Sequence, residues 1–187
     1  LVKQVGNLKS INFFSKLGTL YHKVQRIRKL GTMISDQLNI NKEKVEISTS
    51  ICKVDLLSDL VSEYPELQGI LGCYFARVQG FDDDISLAIK EHYLPLGLDS
   101  RIPKKPISVA VSIVDKIDTL VGFFGIGEKP SSSKDPFALR RTAFGLLRII
   151  IENNLSIQLK NLINYSNTLY EEQGFKFANQ PTQNAIN

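Results

Sequence analysis

Leu20, Val24, Ile27, Leu30, Ile34 and Leu38 follow one another at steps of three and four residues, the period of a helix with one buried stripe. The same period returns in nearly every segment of the chain, and the β-branched residues sit at that spacing too. The predicted fold is therefore all-α, a single bundle of about six to eight helices. A length of 187 residues suits one compact domain with an appended segment.

On the first helix, Lys23, Arg26 and Lys29 fall away from the stripe and are expected to form an exposed basic face. A second helix is expected over 43–61, burying Ile47, Ile51, Val54, Leu57 and Val61. Pro65 opens a third, because proline costs no hydrogen bond in a first turn, with Leu67, Ile70, Leu71, Tyr74 and Val78 as its buried stripe. Gly69 and Gly72 inside that helix predict close backbone approach and a central position. Gly80 and Phe81 stop it, and Asp82, Asp83 and Asp84 place acids at the positive end of the next helix, which buries Ile85, Ala88 and Ile89. After a connection over 94–105, Pro106 opens a long apolar helix. A Gly- and Ser-rich loop over 125–134 follows, and Asp135-Pro136 reads as cap and first position of a helix running to Ile151. A last helix is expected over 157–172. The predicted divisions are a lead-in over 1–16, the main domain over 17–155, a C-terminal helix over 156–173 and a disordered tail over 174–187.

The sequence contains no apolar run long enough for a transmembrane helix. The first residues form no signal-peptide core, and the absence of an initiator Met suggests a piece of a longer chain. Cys52 and Cys73 lie in apolar stretches without CxxC spacing, which points to buried thiols in a reducing, cytoplasmic setting rather than zinc or disulfides. Charge is segregated: residues 1–46 carry +6, residues 47–99 carry −6 and residues 100–187 carry +4. Such segregation fits either an internally complementary fold or a basic face for nucleic acid.

Asp115 and Asp118 are three residues apart on the apolar helix, so their carboxylates share a face. Ion pairing with Arg140 or Arg141 is the favoured reading, ahead of simple exposure at an edge and of a metal site assembled with Asp55 and His92. Lys129, Lys134, Arg140 and Arg141 surround a Ser-rich loop at a helix start and are candidates for phosphate contacts, with Lys23, Arg26 and Lys29 as a second set. The GxxxxGK[ST] order of a P-loop is absent, and two isolated histidines make no nucleophilic triad.

Several strings are shared with a known family. Asp115-Lys116-Ile117-Asp118-Thr119-Leu120-Val121-Gly122, Phe124-Gly125-Ile126-Gly127 and Lys134-Asp135-Pro136-Phe137-Ala138-Leu139-Arg140-Arg141 resemble the bacterial glycyl-tRNA synthetase beta subunit. So do Leu17-Gly18-Thr19-Leu20, Lys53-Val54-Asp55-Leu56, Pro65-Glu66-Leu67-Gln68-Gly69-Ile70 and Glu91-His92-Tyr93-Leu94-Pro95. The resemblance implies the all-helical HD-type domain of a beta chain in an alpha2beta2 enzyme that attaches glycine to its tRNA. It implies tRNA, the alpha subunit and a second beta subunit as partners, with ATP and Mg belonging to the alpha chain and no cofactor in this domain. HD hydrolases hold metal with His, a His-Asp doublet and a later Asp. Lys53-Val54-Asp55 stands where the doublet would fall, and Asp115 or Asp118 corresponds to the last Asp. A non-catalytic binding module without metal is therefore expected, with a degenerate HD metallophosphohydrolase as the alternative.

Overall fold

The computed structural model describes residues 1–177. Among them, eight α-helices form the body, and a 3-10 segment (Val2–Ser10) and a small antiparallel hairpin, β1 (Asn12–Phe14) with β2 (Gly18–Thr19), pack on it. The helical bundle predicted from periodicity is present. No helix among the described residues is long and apolar enough to cross a membrane.

The first helix, α1 (Leu20–Leu38), starts where Thr19 and His22 cap each other. His22 Nδ1 accepts from the Thr19 amide at 3.2 Å, and Asn39 ends the helix in the left-handed region, with φ 51°. Its predicted stripe is buried from Leu20 to Ile34, with Leu38 half-buried, but Lys23 and Arg26 are buried as well. The expected exposed basic face is thus reduced to Lys29, which pairs with Glu172 at 2.7 Å. The physical reason is wrapping: α6 (Pro106–Gly125), α8 (Leu159–Glu172), α2 (Lys42–Ile51) and the N-terminal segment all contact α1.

The helix expected over 43–61 is broken. It ends with α2 at Ile51, and a 3-10 turn (Val54–Leu57) leads to the short α3 (Asp59–Glu63). In one continuous helix, residues 53 and 55 would point about 200° apart. The break lets Lys53 and Asp55 both turn inward.

Pro65 opens only a 3-10 turn (Pro65–Leu67), and α4 (Ile70–Val78) begins after Gly69, whose φ of +76° suits glycine. The buried face of α4 is Gly72, Cys73 and Ala76, while Ile70, Tyr74 and Val78 are exposed. The predicted stripe is therefore the outer one. Gly72 does provide the close approach: a Cβ there would stand 2.7 Å from Ile89 on α5 (Asp83–Glu91). The central helix is α6, buried on nearly all sides from Ile107 to Asp118. Asp135 caps α7 (Leu139–Glu152) from outside, its carboxylate accepting from the amides of Leu139 (2.8 Å) and Arg140 (3.0 Å). The helix thus starts three residues later than the Asp135-Pro136 reading. Within the expected tail, Phe175 and Phe177 pack their rings against Tyr170. The rest of that tail, 178–187, lies outside the described residues.

Candidate functional site: a buried ion cluster beside an open cavity

Burying α1 against α6 brings two basic residues, three apart, onto two acids spaced the same way. Arg26 grips Asp118 with two donors, Nε at 2.6 Å from Oδ1 and Nη2 at 3.2 Å from Oδ2. Lys23 Nζ bridges the acids, 3.1 Å from Asp118 Oδ2 and 3.2 Å from Asp115 Oδ1. The cluster is tied to α8, because Arg26 also donates to Tyr170 Oη at 2.9 Å and to Gln173 Oε1 at 2.7 Å. Tyr170 in turn donates to the Asp118 carbonyl at 3.0 Å, and the Arg26 guanidinium lies over its ring at 3.7 Å.

Asp115 meets a second ammonium. Lys53 Nζ is 3.1 Å from Asp115 Oδ1 and 2.9 Å from His92 Nε2. The Asp115 Oδ1 contacts are charge contacts without hydrogen-bond geometry. Burial alone would raise the Asp115 carboxyl, but Lys23 and then Lys53 outweigh it and hold the group far below the usual carboxylate range. His92 donates Nδ1–H to the Ile89 carbonyl at 2.6 Å, leaving Nε2 to accept from Lys53. Burial first, and the Lys53 charge second, hold this imidazole neutral, well below its ordinary value. Lys116 points the other way, to the Leu94 carbonyl (2.6 Å), Ser112 Oγ (2.8 Å) and the His92 carbonyl (3.4 Å). Burial lowers its ammonium to about 8.

The expected set is thus partly assembled. His92 and Asp115 come together through Lys53, and Asp118 lies one helical turn along. Asp55 is turned to another partner: its Oδ2 accepts from the Gly69 amide at 2.6 Å, at the start of α4, while the Lys53 charge acts on it at longer range. Burial raises its carboxyl. Arg140 and Arg141 do not reach Asp115 or Asp118, since those acids face α1. Arg140 instead folds onto Asp135 (3.8 Å) and the Ser131 carbonyl (2.6 Å). Lys23, Arg26 and Lys53 are the partners the sequence reading missed. Their signal was the matched spacing of 23/26 and 115/118.

An HD-type metal does not fit here. Among the described residues no three His, Cys, Asp or Glu side chains converge on one point. Two ammonium groups already stand beside Asp115, where a cation would be repelled. A cavity of about 370 Å³ opens next to the cluster, lined by Tyr93, Leu96, Asp115, Lys116, Phe137 and Arg141. Arg141 sits exposed at its edge, and Lys129 and Lys134 are exposed on the preceding loop. With the His92 imidazole neutral and hydrogen-bonded on both nitrogens, and the Asp115 and Asp118 carboxylates matched by cations, the cluster supplies rigidity and fixed charge.

The chain is 48% identical to a glycine–tRNA ligase beta subunit of Rhodospirillum centenum over 155 residues, 81% of this chain and 22% of that protein. It is 44% identical to the Acinetobacter baumannii beta subunit over 164 residues, 88% of the chain and 24% of the relative. The Phenylobacterium zucineum beta subunit is 42% identical over 167 residues, 87% of the chain and 25% of the relative. The chain spans about a quarter of the length of these curated relatives. The family model described as glycyl-tRNA synthetase beta subunit matches residues 1–186. The strings around Asp115 and Asp118 that suggested this kinship hold the acids of the buried cluster, and the chain belongs to the glycyl-tRNA synthetase beta subunit family.

Proposed function

We propose that this chain is an HD-type helical module of a glycine–tRNA ligase beta subunit, acting in the cytoplasm as a non-catalytic binding element. It works within an alpha2beta2 assembly in which the alpha chain, with ATP and Mg, activates glycine. The observation that carries the non-catalytic reading is Asp115 held between Lys23 and Lys53: lysine ammonium groups take the place a hydrolytic metal would need. The ligase reading is supported by relatives named for that activity.

Contact with tRNA phosphates is assigned to the exposed Lys129 and Lys134, with Arg140 and Arg141 beside them. Lys23 and Arg26 are buried and drop out of that surface, and Lys29 is engaged by Glu172. The test is a Lys129→Ala/Lys134→Ala variant of the complete synthetase, titrated with tRNA at several salt concentrations. Two lost phosphate contacts lower the slope of log K against log salt by about two units and weaken binding without sequence preference. Unchanged affinity and slope would move the contact off this loop.

A further inference from the structure

The helix α7 is amphipathic on two sides. Its inner stripe, Leu139, Leu146 and Ile149, is buried against the bundle. About half a turn away, Arg140, Phe144, Leu147 and Ile151 recur at steps of four, three and four residues. Those three apolar side chains are 52%, 48% and 69% exposed. A seam of that period is what helices present to one another, because 4-3-4 steps keep successive side chains within one narrow strip.

The neighbouring loop widens the surface. Arg148 Nη1 donates to the carbonyls of Leu98 (2.5 Å) and Ser100 (3.0 Å), while its Nε pairs with Glu152 at 2.6 Å. The loop is thereby clamped to α7 with Leu96 and Leu98 exposed. Around this apolar surface, Arg101, Lys104, Lys105, Arg140, Arg141 and Arg148 stand against Glu91, Asp99, Asp135 and Glu152, six cations against four acids. Arg101, Arg140 and Arg148 pair with Glu91, Asp135 and Glu152, which leaves Lys104, Lys105 and Arg141 against Asp99. On the helix itself, Arg141 stands exposed on one flank of the seam, and Arg148 lies on the same flank with its charge already engaged by Glu152. In paired helices, flank charges select the partner.

We propose that the outer stripe of α7 is a docking surface for an amphipathic protein helix with an apolar seam of the same period and carboxylates on its flank. Three half-exposed hydrocarbon side chains gain nothing from a phosphate backbone, so this strip is distinct from the lysine loop assigned to RNA. A second copy is disfavoured, since antiparallel self-pairing would set Arg141 of one chain against Arg148 of the other. The inference shares Arg140 and Arg141 with the tRNA reading but rests on Phe144, Leu147 and Ile151, which that reading does not use.

The probe is a synthetic helical peptide of roughly four heptads, Leu at the seam and Glu on both flanks. A Lys-flanked peptide of the same length is the control, and binding to the chain is followed by fluorescence anisotropy. The Glu-flanked peptide is expected to bind at least about tenfold more tightly than the control. Phe144→Asp/Ile151→Asp should abolish that binding while leaving the melting temperature unchanged, since both side chains face solvent. Arg141→Glu should narrow the preference between the two peptides. The proposal is overturned if the Glu-flanked peptide does not bind, if the two peptides bind equally, or if the double variant retains the wild-type affinity. It is also overturned if the double variant instead breaks up a self-associated chain in sedimentation, which makes a second copy the occupant, or lowers tRNA affinity, which makes RNA the occupant.

Discussion

Replacing Asp118 by Asn removes one charge without changing shape, and the geometry tells how much should be lost. Asp118 and Arg26 are both 0% exposed, and the carboxylate takes two of the guanidinium donors as well as the Lys23 ammonium. Lys23 keeps Asp115 as a counter-ion in the variant, but Arg26 keeps only the neutral acceptors Tyr170 and Gln173. A fully buried guanidinium is then left without its anion, and removing one partner of a buried pair typically costs about 3–5 kcal/mol. For a domain of this size, each kcal/mol lowers the melting temperature by roughly 2–4 °C, so a drop of about 6–20 °C is expected. Urea unfolding followed by circular dichroism gives the free energy directly. The companion Asp115→Asn should cost a comparable amount: Lys23 retains Asp118, but the buried Lys53 ammonium loses its ion-pair partner. A double variant, Arg26→Met/Asp118→Leu, should recover much of the loss, since an apolar pair leaves no stranded charge. An Asp118→Asn protein within about 1 kcal/mol of wild type would refute the view that this cluster holds α1, α6 and α8 together.

Acidification supplies a second test. His92 stays neutral in the fold, whereas an unfolded imidazole takes a proton below about pH 6.5, so stability should fall as pH drops from 7 to 5, by up to roughly 1.4 kcal/mol per unit for this group. His92→Gln should flatten most of that slope in urea titrations; the smaller remainder belongs to His22, whose imidazole is also lowered, by burial first. Gly69→Ala forces a side chain into φ +76° with its Cβ 3.1 Å from the Ile89 and Lys90 carbonyls, and should cost about 1–3 kcal/mol in thermal melts. Added Mn should leave the melting temperature where it was, because the Asp115 carboxylate is already matched by Lys23 and Lys53; a saturable upward shift would restore the hydrolase reading.

Where one face of a helix is buried and the other solvated, the apolar period alone locates the element. That is why α5 was legible in the sequence to within a few residues, whereas α6, buried on nearly all sides, was legible from Pro106 and the long apolar run behind it. The same rule failed on α1, which is enclosed on several sides: a basic residue off the stripe reads as solvated, yet Lys23 and Arg26 are inside because acids on α6 receive them. It failed on α4 for the opposite reason. Large apolar residues define a stripe by eye, but the contact with α5 is so close that only Gly72, Cys73 and Ala76 fit it. For the candidate site, paired acids on an apolar helix announced that cations must exist. Which cations they were depended on long-range packing, since the partners lie 62 to 95 residues away. The break after Ile51, which delivers Lys53, has no local proline or glycine to announce it.

The link from Arg26 to Gln173 joins residues 147 apart in the chain, and this imposes an order on biosynthesis. At about 5–20 residues per second, the ribosome needs roughly 7–30 s to travel from one to the other. During that interval the guanidinium has neither Tyr170 nor Gln173, and for most of it no Asp118 either. A nascent α1 must therefore stay hydrated on the side that will later be sealed, and it is α8, about 140 residues behind α1, that closes the ion cluster.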